Sequence, residues 1–219
     1  MFDVDPIALA AQVAMGIGLA ACTGLRAFLP PLILGAAARA GLVGLPDSLS
    51  WLASTPSLVA LGSAVLIELL GDKIPIVDHL LDAAGTILRP AAGALVGAAP
   101  LLALAPQPSG DPSGASAVWA LGIAGAGIGA GVSGVVLLLK SAVRLASTGV
   151  SGALANPILS IGEDVVGTVG SVLAVLVPLV ALGLMILAGG LLWRLVAAGR
   201  SGPARSRSWA LKPGRKPSG

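Results

Sequence analysis

The sequence has few of the side chains on which soluble domains and enzymes depend. Only 11% of its 219 residues are charged, tyrosine is absent, and Cys22 and His79 are the single cysteine and histidine. A soluble domain carries about a quarter charged residues, and one cysteine forms neither an internal disulfide nor a cysteine metal cage. A soluble globule is therefore excluded, and few candidate catalytic groups remain.

One short motif resembles a catalytic one. Residues Gly131-Val132-Ser133-Gly134 match the Gly-x-Ser-Gly of rhomboid-type intramembrane proteases. A serine nucleophile needs a positioned base, but no histidine follows Ser133. We therefore predict that the chain is not an enzyme and has no cofactor, and we assign the glycines of this region to close packing between helices.

Long apolar stretches dominate the rest of the chain. Hydrophobic residues make up 56% of it and its mean hydropathy is +0.97, and a spanning helix needs about 20 mostly apolar residues. We predict an all-α integral membrane protein with about six transmembrane helices. Residues 1–198 form one polytopic domain, with halves of about 7–105 and 117–198.

Proline and glycine set the boundaries of the predicted spans. The first span has a kink or break around Arg26 to Pro31, because proline removes a helical hydrogen bond. The last apolar block is too long for one helix at about 1.5 Å per residue, so we divide it near Pro178. The six predicted spans are about Ile7–Arg39, Ser57–Gly71, Pro90–Ala105, Ala117–Leu139 and the two parts of Ile158–Ala198.

A segment between the second and third spans has a different pattern. Residues Pro75–Arg89 place their apolar side chains on one helical face and their polar ones on the other. Such a helix prefers the plane of the membrane interface, so we predict an interfacial amphipathic helix here.

The two halves share a glycine pattern. Gly16-Ile17-Gly18 with Thr23-Gly24 resembles Gly127-Ile128-Gly129 with Ser133-Gly134. Three spans in each half would relate the halves as inverted repeats, as in many transporters. The alternative is a chance match, since 31 residues are glycine.

Basic residues give the orientation. With six spans and an internal N-terminus, the inside loops hold Lys73, Arg89, Lys140 and Arg144, whereas the outside loops hold only Arg39. Because positive residues favour the inside, we predict an inner (plasma) membrane protein with both termini cytoplasmic.

The C-terminal tail, residues 199–219, carries six basic residues and no acid. We predict that it is disordered. It either attracts anionic lipid headgroups or only anchors the topology. We expect no nucleic-acid partner, because no folded basic surface accompanies it.

Acidic residues at the ends of apolar runs are the candidate functional residues. Glu68 and Asp72 are four residues apart on one helical face, and Glu163 and Asp164 follow a polar start at Asn156. Acids within a span are functional candidates. In the six-span topology both sets converge from the cytoplasmic side on one polar site that suits hard cations; the metal, if any, is undefined. The candidate ion-binding residues are Glu68, Asp72, Asn156, Ser160, Glu163 and Asp164, supported by Arg26, Lys73 and Asp78.

A structural role is the alternative for the same acids. Glu68 then pairs with Lys73 or Arg26, and Glu163 and Asp164 cap the N-terminus of a helix.

Three segments resemble a bacterial membrane-protein family known as domain of unknown function number 4126. They are Thr23 to Pro30, Glu68 to Asp78 and Ala155 to Asp164, and the resemblance covers about Gly16 to Ala197. The family implies no known activity. Glu68 to Lys73 is also similar to the Glu-x-Gly-Asp-Lys signature of Golgi-type cation–proton exchangers, from which it departs by one inserted residue.

The leading functional hypothesis is a small permease that transports a cation coupled to protons through intramembrane carboxylates. The alternatives are a non-transporting membrane scaffold or assembly protein and a lipid-handling protein. The lipid bilayer is the expected environment, and a second copy of the chain is a possible partner.

Overall fold

The computed structural model describes residues 5–71, 74–105, 112–151 and 156–200, and regular structure in these ranges is entirely helical. Residues 1–185 form one compact unit and residues 186–219 a second. The described helices are α1 (Pro6–Leu25), α2 (Leu29–Arg39), a 3₁₀ helix (Asp47–Ala53), α3 (Thr55–Gly71), α4 (Pro75–Ala103), α5 (Pro112–Ser151), α6 (Asn156–Leu176) and α7 (Pro178–Arg200).

The chain is an all-α membrane protein. Four of the described helical segments are long and apolar enough to cross a bilayer, namely α1, Leu80–Ala103, Gly114–Leu145 and Leu159–Leu176. A fifth is added if the 3₁₀ helix and α3, bent by 60° relative to each other, count as one. The described residues thus contain four or five candidate spans, against a predicted number of about six. The helices α2 and Pro178–Leu191 are also apolar but are shorter than these spans.

Prolines mark the helix boundaries. Asp5 caps α1, because its Oδ1 accepts from the Ile7 amide at 2.9 Å, and Pro6 occupies the first turn, where no hydrogen bond is lost. Pro30 and Pro31 lie in the first turn of α2 for the same reason. Pro178 begins α7, as the division of the last apolar block predicted.

Contacts between helices fix their directions. A Cβ at Gly18 would lie 2.8 Å from the Ala174 Cβ, and Arg26 is paired with Asp164, so α1 and α6 are antiparallel. The middle of α1, at Gly16, shares a small cavity with Gly125, and the last carbonyl of α1, at Leu25, contacts Lys140. Helices α1 and α5 are therefore parallel.

The second helix runs back along the first. Arg39, at the end of α2, donates to the Thr55 hydroxyl at 2.7 Å, and Ala27, before its start, contacts Glu68. Hence α2 and α3 are antiparallel. The 3₁₀ helix between them places Ser48 in one pocket with Leu102, near the end of α4, and Trp119, near the start of α5. Helix α2 thus starts at the end where α1 finishes and returns towards the end where α1 began.

This return corrects the predicted first span, which treated Ile7–Arg39 as one spanning segment kinked or broken around Arg26 to Pro31. The break at Arg26–Phe28 was predicted in the right place, but it reverses the chain. Proline and glycine show where a helix is interrupted; they do not show the angle at which the next helix leaves, because packing against α3 and α6 sets that angle.

We call the end of the helices that contains Leu25, Glu68 and Ser160 the charged end. The end that contains Pro6, Ser48 and Trp119 is the opposite end. Helices α1, α3 and α5 run towards the charged end, whereas α2, α4 and α6 run away from it. The predicted amphipathic segment Pro75–Arg89 is continuous with the third span in the single 29-residue helix α4.

Glycines allow a close contact between α4 and α5. A Cβ at Gly97 would lie 2.5 Å from the carbonyl oxygen of Gly125, and one at Gly93 would lie 2.5 Å from the Ser133 Cβ. The Ser133 hydroxyl donates to the Arg89 carbonyl at 2.8 Å. Small residues let the two backbones approach, as in other membrane helix pairs.

The helix directions also bear on the predicted repeat. Its two glycine segments lie in α1 and α5, which are parallel, whereas an inverted repeat requires the matching helices to be antiparallel. The glycine match therefore does not support an inverted relation between the halves. One glycine of each segment has the same local reason to be small, since Gly16 and Gly129 each face Gly97.

Candidate functional site: a buried charge cluster

The polar feature of the charged end is a set of four basic and four acidic side chains. Six of them are linked by contacts of 4.0 Å or less between charged groups, and the pair Arg26–Asp164 joins them through the backbone carbonyl of Glu68. We call this set the charge cluster. Its members are Arg26, Arg89, Lys140 and Arg144 together with Glu68, Asp82, Glu163 and Asp164. The formal charges of these eight residues cancel. Balanced pairing is what burial away from water requires, because an isolated buried charge is costly.

Arg26 lies at the chain reversal between α1 and α2 and is only 1% exposed. Its Nη2 is 2.5 Å from Asp164 Oδ1 and donates to the Ser160 hydroxyl at 3.1 Å. Its Nη1 donates to the backbone carbonyl of Glu68 at 3.5 Å. One guanidinium therefore joins the reversal to both α3 and α6.

Glu68, near the end of α3, is 4% exposed and receives the start of α2. Its Oε1 accepts from the Ala27 amide at 3.1 Å and its Oε2 from the Phe28 amide at 3.5 Å. Arg89 Nη2 lies 4.0 Å from Oε1. The carboxylate thus supplies the cap that α2 lacks locally, since Phe28 at the N-cap position has no side-chain hydrogen bond to the helix.

Lys140 holds the other helix end at the reversal. Its Nζ donates to the carbonyl of Leu25, the last residue of α1, at 3.1 Å and contacts Glu163 Oε2 at 2.7 Å. A cation at a helix C-terminus and an anion at a helix N-terminus both complement the helix dipole. The reversal is therefore bounded by two buried charges of opposite sign, Lys140 and Glu68.

The remaining members connect α4, α5 and α6. Arg144 contacts Glu163 Oε2 at 3.4 Å and Asp82 Oδ2 at 3.3 Å, and Asp82 also contacts Arg89 at 3.5 Å. Exposure differs sharply among the acids: the side chains of Glu68 and Glu163 are 5% and 12% exposed, whereas that of Asp82 is 46% exposed. The cluster therefore has two interior carboxylates and a more exposed edge.

The structure brings together five of the predicted site and supporting residues: Glu68, Ser160, Glu163, Asp164 and Arg26. Asp72 and Lys73 lie outside the described residues, as do the side chains of Asn156 and Asp78. Glu68 and Glu163 do not touch; they belong to one cluster through Arg89, Asp82 and Arg144. Whether the set binds an ion stays a prediction.

Sequence reasoning left four members out of the candidate site. Asp82 and Arg89 were assigned to the polar face of the interfacial helix, and Lys140 and Arg144 served only to orient the protein. A signal for the second pair was present, because Lys140 and Arg144 are four residues apart at the end of an apolar run and so share a helix face.

The chemistry of the cluster limits what it can do. Among the described residues, no group of three or more histidine, cysteine or acidic side chains is placed to hold a metal ion. Arginine stays protonated in proteins, so a proton cannot pass from Asp82 to Glu68 through Arg89. A proton can instead bind one carboxylate and thereby weaken that carboxylate's own ion pairs.

Comparisons with known proteins give a family and no activity. The model of the family described as Domain of unknown function (DUF4126) matches residues 13–198. No curated protein and no solved structure matches the chain.

Proposed function

We propose, from the premise that this chain belongs to the family described as Domain of unknown function (DUF4126), that it is a small membrane permease coupled to protons. The observation that carries the proposal is the buried charge cluster at a helix reversal, with Glu68 and Glu163 in its interior. Intramembrane ionisable residues mark ion and proton pathways, and interrupted helices line the binding sites of many transporters.

The carboxylates are the proposed proton-binding groups. Each acid of the cluster lies within 4.0 Å of a base, so an inorganic cation would have to displace an arginine or lysine. A proton displaces nothing, because it binds a carboxylate oxygen directly. A cation stays the first class of solute to test, in exchange for protons.

The experiment is uptake into proteoliposomes, screened over metal ions with and without a pH gradient and compared with empty liposomes. We expect a pH gradient to increase uptake of one tested ion, and Glu163→Gln to abolish this uptake at normal folded yield. Gln keeps the shape of Glu but removes its charge. The matched control is Asp47→Asn, an exposed acid of the 3₁₀ helix at the opposite end, which should transport as wild type.

A membrane scaffold is the second candidate, and complete pairing of the acids favours it. In that case Glu163→Gln removes the carboxylate that pairs with Lys140 and lowers the folded yield. Neutralising Lys140 as well should then restore the yield. No ion movement by the wild type, or full transport by Glu163→Gln, would rule out the permease as proposed.

For the orientation, we propose that the charged end faces the cytoplasm of a plasma membrane. That end carries Arg26, Arg89, Lys140 and Arg144, whereas Arg39 is the basic residue of the described part of the opposite end. Positive residues favour the inside. Because α1 runs towards the charged end, residue 5 then lies outside, in contrast to the predicted cytoplasmic N-terminus.

The C-terminus keeps its predicted cytoplasmic side in this proposal. Its six basic residues fall between Arg200 and Lys216, and they follow the same rule. Attraction of this tail to anionic headgroups remains part of the proposal, since each basic residue near such a surface contributes about 1 kcal/mol.

A further inference from the structure

Two opposite charges hold the two helix ends at the chain reversal. Glu68 accepts the amides of Ala27 and Phe28, and Lys140 donates to the carbonyl of Leu25. These contacts come from α3 and α5, so the reversal between α1 and α2 is fixed mainly by groups that are distant in sequence. A change in the charge of Glu68 or Lys140 therefore acts directly on the backbone contacts that hold the reversal.

We propose that the reversal Arg26–Phe28 is a hinge and that Glu68 is its proton-sensitive latch. Ionised Glu68 accepts two amide hydrogens and attracts Arg89. Protonated Glu68 has an O–H donor where one acceptor oxygen was, and it has no charge to hold Arg89. Proton binding therefore releases the start of α2, and this inference deepens the proposed permease function by naming its moving element.

Charged groups around Glu68 come from each neighbouring element. Arg26 at the reversal holds the Glu68 carbonyl and is itself paired with Asp164 on α6. Arg89 on α4 lies 4.0 Å from the carboxylate and is also paired with Asp82. On protonation of Glu68 these two arginines keep their other acids. The change is thus centred on the cap of α2, and the charge cluster then carries one net positive charge, since four bases face three ionised acids.

Lys140 on α5 supports the same conclusion. It holds the end of α1 through Leu25 and is paired with Glu163, and neither contact involves Glu68. The end of α1 therefore stays fixed when Glu68 is neutral, and α2 is the element that moves.

Cysteine labelling tests this hinge without measuring transport. In a Cys22→Ala background, Ala27→Cys places a thiol at a position that is 2% exposed beside the latch. Ala14→Cys, at a position 0% exposed in α1, is the matched control. A maleimide is applied to detergent-purified protein at one fixed pH, and the labelling rates are compared with and without Glu68→Gln, whose amide mimics the protonated acid.

We expect Glu68→Gln to raise the labelling rate at residue 27 by about tenfold or more, the scale of losing a hydrogen bond to a charged group, and to leave residue 14 unchanged. Asp47→Asn, at an exposed acid of the opposite end, should leave both rates unchanged. No increase at residue 27 overturns the proposal. So does an equal increase at residue 14, or with Asp47→Asn, because general loosening of the fold would then explain the result.

Amide exchange of the wild type covers the case in which Glu68→Gln does not fold. After correction for the intrinsic effect of pH, protection of Ala27 and Phe28 should fall as the pH is lowered, while that of residues 14–20 persists. Constant protection at Ala27 and Phe28 overturns the latch. A hinge that opens in a protein that transports nothing would refute the proposed function and leave the hinge standing.

Discussion

Arg26 is buried at a point where the backbone itself is short of partners. A helix end leaves four amides or four carbonyls without intrahelical bonds, and at this reversal the end of one helix and the start of the next lie together. Glu68 and Lys140 satisfy part of each set. The charges are therefore tied to the backbone as well as to one another, which is a reason for acids and bases to be retained in an apolar protein.

Lys140 gives the clearest prediction at this scale. Lys140→Met removes a base whose side chain is 3% exposed, leaving the Leu25 carbonyl and part of Glu163 without a partner. Breaking a buried pair costs about 3–5 kcal/mol. We expect a large fall in the thermal midpoint in detergent, partly recovered by adding Glu163→Gln.

The control for that measurement is Arg194→Met, since Arg194 is an exposed residue of α7. Exposed substitutions usually change stability by less than about 0.5 kcal/mol. If Lys140→Met and Arg194→Met have equal midpoints, the contacts of Lys140 contribute nothing to the fold.

The positions of individual helices were more predictable from the sequence than their directions and their contacts with one another. The breaks before Leu29 and at Pro178 follow from proline, which acts locally. The reversal at Arg26 did not follow, because it depends on Glu68, 42 residues away in sequence. The pairing of Asp164 with Arg26 was equally hidden, since a helical pattern gives the face of a residue and not the helix that it meets.

Glycine spacing on α5 provides a test at the scale of helices. Gly129 faces α4 so closely that a Cβ there would overlap the Gly93 carbonyl, whereas Gly127, two residues earlier, has nothing within 4 Å. Gly129→Ala should destabilise the fold by about 1–3 kcal/mol through overpacking. Gly127→Ala should be neutral or slightly stabilising, because alanine favours a helix over glycine.

Thermal unfolding of the two variants in the same detergent makes the comparison, since both add one methyl group to one helix. A loss of stability confined to Gly129→Ala supports the close contact between α4 and α5. Equal midpoints for both variants would contradict it.

The direction of α1 relates the site to the whole molecule. Both α1 and α3 run towards the charged end, and the return between them is made by the 11-residue α2 and the segment up to the 3₁₀ helix. A count of apolar stretches treats α1 and α2 as one span and so places residue 5 on the same side as Gly71, the end of α3. The folded directions place residue 5 on the opposite side.

Three single-cysteine variants in a Cys22→Ala background distinguish these orientations when intact cells are treated with a membrane-impermeant maleimide. Ser48→Cys should be labelled and Ile74→Cys should not, because both orientations place residue 48 outside and residue 74 inside. Asp5→Cys separates them: the directions of α1 and α3 require residue 5 to be labelled from outside. Labelling of residue 5 only after permeabilisation, with the two controls as expected, would mean that α1 does not carry the chain from the outer face to the charged end, and that the predicted cytoplasmic N-terminus is right.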